Sequence, residues 1–249
     1  MCNSRAIGRM VSVGCSLLGL LLANACATSG TQAAKLRNGI YSVGLEAYGN
    51  EPSAAFYVET LVPILDNPKL YARLAKLHES PEVASGLAGQ KTGIVELTAA
   101  GLRRLDRTDQ AALLEVKRVL AARSLPLCAG FWTGNVPSSA LMEGLRTLDE
   151  AQQRTWITVT LRALSLEIEA EGPLSAIAEA DTEQALTELA DSVGPEAYAA
   201  LAAAVEKDPP APEAACHAFR VISRGVKNLP PGKQMIVIRS LVEPGVPQP

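Results

Sequence analysis

The 249-residue sequence predicts an all-α fold, and three observations carry that expectation. Aromatic residues make up 4% of the chain and no stretch alternates apolar and polar residues with period two, so a sheet has no support. Alanine and leucine, both strong helix formers, fill segments of helix length in which apolar residues recur every three or four positions. The third observation is a junction that returns along the chain. Gly101-Leu102-Arg103-Arg104-Leu105-Asp106 precedes Gln110, and Gly144-Leu145-Arg146-Thr147-Leu148-Asp149 precedes Gln153. Gly225-Val226-Lys227-Asn228-Leu229-Pro230 precedes Gln234 in the same frame, and weaker copies stand at Leu65-Asp66 and Val193-Gly194.

Each junction has the same physical content. One helix ends on an apolar residue, with basic neighbours whose charge suits its negative C-terminal dipole; Asp66, Asp106 or Asp149 then caps the next helix by accepting its free amide hydrogens. At the last junction Pro230 and Pro231 take that place, since a first turn does not use the hydrogen that proline lacks. Positions 65, 105, 148, 193 and 229 lie roughly 36–45 residues apart, a spacing that suits a degenerate two-helix repeat. The expected elements, in order, are about five hairpins: 53–65 with 68–78, 92–104 with 107–122, 137–147 with 150–170, 182–192 with 195–207, and 212–227 with 230–242. They should stack into an α-solenoid-like array or pack as a compact helical bundle. One all-helical domain over 35–243 is expected, with a stiff proline linker at 208–212 and a tail at 244–249 that has no reason to fold.

The N-terminal segment reads differently. Arg5 and Arg9 precede an apolar run from Met10 to Ala23, the length of an export-signal core and too short to span a bilayer comfortably. The run closes with Leu21-Leu22-Ala23-Asn24-Ala25-Cys26, which resembles the lipobox of bacterial lipoproteins. The resemblance implies a signal peptide at 1–25, acylation of Cys26, and a flexible tether at 26–34 that holds the body to the membrane by lipid. Ala27, rather than aspartate, follows the cysteine, and the resemblance then implies the outer membrane, on its periplasmic face. Ala23-Asn24-Ala25 also satisfies the small-x-small rule of ordinary signal peptidase, which leaves a soluble periplasmic protein as the alternative.

The whole chain carries a net charge of −3, and the two arginines of the signal segment are its only charges, so the remainder is more acidic still. No basic patch is offered to nucleic acid, and none is expected as a partner. After Cys26 the only cysteines are Cys128 and Cys216. In an oxidising compartment they are expected to pair, and closing a loop of about 88 residues stabilises by roughly 4–5 kcal/mol on the chain-entropy estimate, with two unpaired buried cysteines packing as small apolar residues as the alternative.

Chemistry is sparse. His78 and His217 are the chain's only histidines, no helix carries a His-x-x-x-His spacing, and no metal or cofactor is expected. Cys216-His217 is no nucleophile and base, because neighbours on one helix point about 100° apart. Gly86-Leu87-Ala88-Gly89-Gln90-Lys91-Thr92 lacks the Gly-Lys-Thr adjacency of a phosphate loop and reads as a helix break. Glu167, Glu169 and Glu171 crowd a helix C-terminus, where acids are electrostatically unfavourable. No catalytic residue is assigned. Phe131, Trp132 and Asn135 fall in a glycine-bounded stretch that reads as a loop from Gly130 to Pro137; they are the candidate interface, with packing over the cysteines as the alternative. The leading expectation is a non-enzymatic, membrane-tethered helical scaffold that binds a protein partner; the second is a carrier or sensor holding an apolar or small ligand between helices.

Overall fold

A computed structural model describes residues 30–77, 87–174, 177–205 and 210–242. Cys26, His78 and the tail at 244–249 lie outside the described residues. Among those described, twelve α-helices and one 3₁₀ turn account for the regular structure, and no strand occurs. They are α1 (Gly30–Tyr48), α2 (Glu51–Leu65), α3 (Pro68–Leu77), α4 (Leu87–Leu102), α5 (Arg107–Arg123), α6 (Leu125–Thr133), α7 (Ser138–Arg146), α8 (Glu150–Glu169), α9 (Glu179–Val193), α10 (Pro195–Val205), α11 (Pro212–Gly225) and α12 (Pro231–Val242). The all-α expectation holds, and the arrangement is the compact one.

Two departures from the expected boundaries have physical reasons. Helix α1 begins at Gly30, inside the stretch expected as tether, because Thr31 to Lys35 contains nothing that stops a helix started from its C-terminal side. Helix α6 runs into the stretch expected as a loop as far as Thr133, so that only 134–137 remain outside a helix. Ser124 caps it by accepting the Leu127 amide, Pro126 fits its first turn, and Gly134 ends it in a left-handed conformation at φ 70°. Gly130 sits in mid-helix because the chain passes close there: a methyl group at Gly130 would strike the Asn135–Val136 backbone.

The recurring junction is a corner between helices that share little packing, rather than the tip of a close hairpin. The tightest pairings join α4 with α8, α6 with α11 and α1 with α2, and α8 also touches α2, α3 and α5. Each residue of the frame has a task at the corner. The leucine is buried: Leu105 is 0% exposed, Leu148 6% and Leu229 5%. Asp106 accepts from the Asp109 amide, and Asp149 forms a capping box with Gln152. The glutamine reaches back to a carbonyl at the end of the preceding segment: Gln110 Nε2 donates to Leu105 O at 3.1 Å, Gln153 Nε2 to Leu145 O at 2.8 Å and Gln234 Nε2 to Leu229 O at 2.8 Å. The glycine marks a close approach of helices. A methyl at Gly101 would overlap the Ala163 carbonyl, one at Gly144 the Leu127 side chain and one at Gly225 the Val193 and Leu189 side chains. At the weaker copy the cap is not Asp66, which follows α2 in helical conformation, but Asn67, whose side chain accepts the Lys69 amide.

Buried side chains form two cores. The first is mainly aliphatic, with Tyr48, Tyr57 and Trp156 among its members, and draws on α1 to α5, α7, α8 and Leu127 of α6, with Ile40, Leu61, Leu70, Ile94, Leu145 and Ile157 at 0% exposure. The second lies between α6 and α9 to α12 and includes Trp132, Leu189, Leu201, Phe219 and Val237. Helix α5 is shared: Leu113, Val116 and Leu120 face the first core, Leu114 and Ala121 the second.

Candidate functional site

Helix α6 is nine residues long and divides into two faces. Cys128 and Trp132, four apart, turn inward, and Cys128 is joined to Cys216 of α11. Cys216 is therefore committed to a bridge, while the adjacent His217 is exposed. Phe131 is half-buried, and its ring packs on Phe219 with centroids 5.6 Å apart. Phe131 follows Cys128 by three residues and Phe219 follows Cys216 by three, so the bridge and the ring pair stand one helical turn apart and clamp α6 to α11 twice.

Trp132 is 7% exposed and belongs to the second core with Cys128 and Cys216, in line with the packing alternative rather than the interface. It cannot serve as a surface anchor in this conformation. Of the three candidate interface residues only Asn135 is exposed. Its neighbourhood does contain a concavity. The other face of α6 forms, with the segment before α7 and the start of α11, a cleft of about 390 Å³ floored by Ala129, Gly130 and Ala215. Leu125, Pro126, Asn135, Pro137, Pro212 and Glu213 rim it, and all six are exposed, so the cleft is open to solvent. Leu125 is one of three large apolar side chains more than a third exposed among the described residues, at 40%. Three rim prolines fix backbone angles, and Glu213 is the lining's only charged side chain, so the walls are stiff, largely apolar and weakly acidic.

The acids at the end of α8 are answered from segments distant in the chain. Arg104 pairs with Glu167 at 2.5 Å and also donates to Gly172 O at 2.6 Å. Glu169 is held by Lys69 and Asn67, and hydrogen bonds from those two groups lower its pKa from the usual carboxylate value. Arg73 donates to Ile168 O, so cations also meet the carbonyl end of the helix. Among the described residues no three metal-ligating side chains converge, and no helix is long and apolar enough to cross a membrane.

Sequence reasoning overlooked two groups. Gln153, 0% exposed, donates to Tyr48 O at 2.9 Å as well as to Leu145 O, and its Oε1 accepts from Asn50 Nδ2 at 2.6 Å and Ser53 Oγ at 2.5 Å. Its recurrence in the junction frame was the available signal. Lys117 interrupts the stripe Leu114, Lys117, Ala121 that α5 turns toward the second core, and it is half-buried with its amino group 5.5 Å from the centre of the Phe131 ring. Burial pushes its pKa down to about 8. Compared with protein-family models, curated proteins and solved structures, the chain matches none.

Proposed function

We propose that this chain is a lipid-anchored cell-envelope protein, held to the outer membrane through acylated Cys26, whose helical body serves as a scaffold for a protein partner. The partner contributes an extended segment to the α6–α11 cleft, setting an apolar side chain against Leu125 and Pro126 and a basic one beside Glu213. The observation that carries this reading is the exposure of Leu125 at the rim of a stiff, solvent-open cleft whose one charge is negative. Proline rims suit such a role because they hold the concavity without loss of backbone entropy on binding.

The test is a photo-crosslinking residue placed at Asn135 in intact cells, with Tyr71, exposed on α3, as the control position. An adduct at 135 but not at 71, abolished by Leu125→Asp and weakened by Glu213→Lys, is the expected outcome. An adduct indifferent to both substitutions, or none, rejects the cleft. The anchor is tested separately: Cys26→Ala should move the protein from membrane to soluble fractions, and continued membrane association rejects lipid attachment.

A further inference from the structure

The cleft between α6 and α11 has a chemistry more definite than apolar. Its floor consists of Ala129, Gly130 and Ala215, which end at Cβ or sooner, so a flat group can lie against the two helix backbones themselves. Pro126, Pro137, Pro210 and Pro212 stand around that floor. Their rings are rigid, and the C–H groups beside each ring nitrogen are electron-poor, which suits the negative face of an aromatic ring. The one hydroxyl in the lining belongs to Thr133 and is spent on Ala129 O at 3.1 Å. At about 390 Å³ the cleft is at the small end of ligand-sized sites, with room for one large side chain and not for the several anchors of a docked helix. Glu213, exposed at the rim, has no cationic partner among the described residues.

We propose that the partner's anchor in this cleft is a planar aromatic side chain, with an arginine or lysine two residues away along an extended segment. This rests on the docking reading above and makes its occupant specific. A ring set in the slot touches the small-residue floor on one face and the proline rings around it, whereas a branched aliphatic anchor has no flat face and forfeits part of that contact. An aromatic anchor also has few rotatable bonds, so less freedom is lost when it is seated. Side chains alternate along an extended segment, so the residue next to the anchor points away and the one after it returns to the cleft side, roughly 7 Å along. There its cation meets Glu213, in an exposed pair that sets orientation more than affinity.

The test uses the full chain in membrane vesicles and three synthetic peptides, each bearing a diazirine photo-crosslinker and a biotin. They are Arg-Gly-Trp-Gly-Arg, Arg-Gly-Leu-Gly-Arg and Glu-Gly-Trp-Gly-Glu; charges flank the anchor on both sides, so either direction of binding is served. Mass spectrometry measures adducts on residues 125–137 and 210–215 against those on α3 as background. The tryptophan peptide with arginines is expected to reach half-maximal cleft labelling at a concentration about fivefold below the leucine peptide and about threefold below the acidic one. Leu125→Asp should reduce labelling by all three, and Glu213→Lys should place the acidic peptide ahead of its basic counterpart. Leucine serving as well as tryptophan, a charge order that Glu213→Lys leaves unchanged, or no cleft labelling above the α3 background overturns the proposal. The docking reading is judged apart, by the cellular adduct at position 135: that adduct, together with equal labelling by leucine and tryptophan, removes the aromatic anchor and keeps the cleft.

Discussion

The two cores meet along α5 and α6, yet each is fastened by a different kind of bond. In the first, the end of α1, the start of α2, the end of α7 and the start of α8 converge on Gln153, whose amide fills four hydrogen-bonding positions. In the second, α6 and α11 are joined by Cys128 and Cys216 across 88 residues of sequence. Both devices bring together segments far apart in the chain. The polar hub depends on its members staying satisfied, because the buried Ser53 hydroxyl loses its hydrogen bond when Gln153 is removed. The bridge acts on the unfolded chain as well, by removing conformations it would otherwise explore. One region should therefore be sensitive to side-chain exchange, the other to reduction.

The sharpest way to break the first region is Gly101→Ala. The added methyl meets the Ala163 backbone carbonyl, which cannot rotate away, so α4 must separate from α8. A loss of about 4 kcal/mol is expected in a guanidinium titration. Gly225→Ala, at the equivalent place in the second region, meets side-chain atoms of Val193, Leu189 and Ser192 rather than backbone and should cost about 1 kcal/mol. Equal losses would show that the two close approaches are equally rigid.

Next in size is the bridge. Cys128→Ala with Cys216→Ala, or reduction of the wild type, should lower stability by about 3 kcal/mol, somewhat below the ideal entropy figure because denatured chains keep residual structure. Hydrogen exchange should show protection lost in α6 and α9 to α12 before α1, α2 and α8. Uniform loss would mean the cores unfold as one unit. Gln153→Leu, the counterpart in the first region, removes four hydrogen bonds and strands the Ser53 hydroxyl, while Tyr48 O keeps Asn50 Nδ2 and Leu145 O keeps the Leu148 amide, at about 2 kcal/mol. Its effect should be the same with the bridge intact or reduced; a strong coupling would show that hub and bridge lie in one cooperative network.

Legibility follows the range of the interactions. The junction frame could be read where its tasks are local: a cap three residues ahead, a leucine under the turn, and a glutamine reaching five back at Gln110 and Gln234 and eight back at Gln153. Corner rather than hairpin was not readable, because the angle depends on what Gly101 and Gly225 touch, and Ala163 and Val193 are not their sequence neighbours. Helix α6 was hidden by Gly130 and Gly134, which resemble loop punctuation; one is a close approach and the other a helix stop. The acids ending α8 looked unaccountable only because Arg104 and Lys69 arrive from 63 and 100 residues away. For the candidate site, the pairing of Cys128 with Cys216 and the packing of Trp132 beside it were both open to reading, whereas the exposed cleft on the other face of α6 required knowing which face turns inward.

Lys117 gives the smallest effect and the most specific one, since it belongs to the seam between the regions. The folded chain holds its proton less tightly, at about 8 against 10.5 for the free side chain. Below pH 8 both folded and unfolded chains are protonated, and the full cost of seating a cation among Leu114, Ala121 and Phe131 opposes folding. Between about pH 8 and 10.5 the folded chain releases the proton while the unfolded chain keeps it, so stability rises with pH and the cost fades. Lys117→Met keeps the apolar stem without the charge. It should therefore be more stable than wild type by about 1 kcal/mol at neutral pH, a figure discounted because the amine is only half-buried, with the gap closing as pH approaches 10.5. Burial also raises the Tyr48 pKa, but Tyr48 is common to both chains and cancels in the difference. A gap that does not change with pH would assign the gain to packing alone and remove Lys117 as the charge strained between the cores.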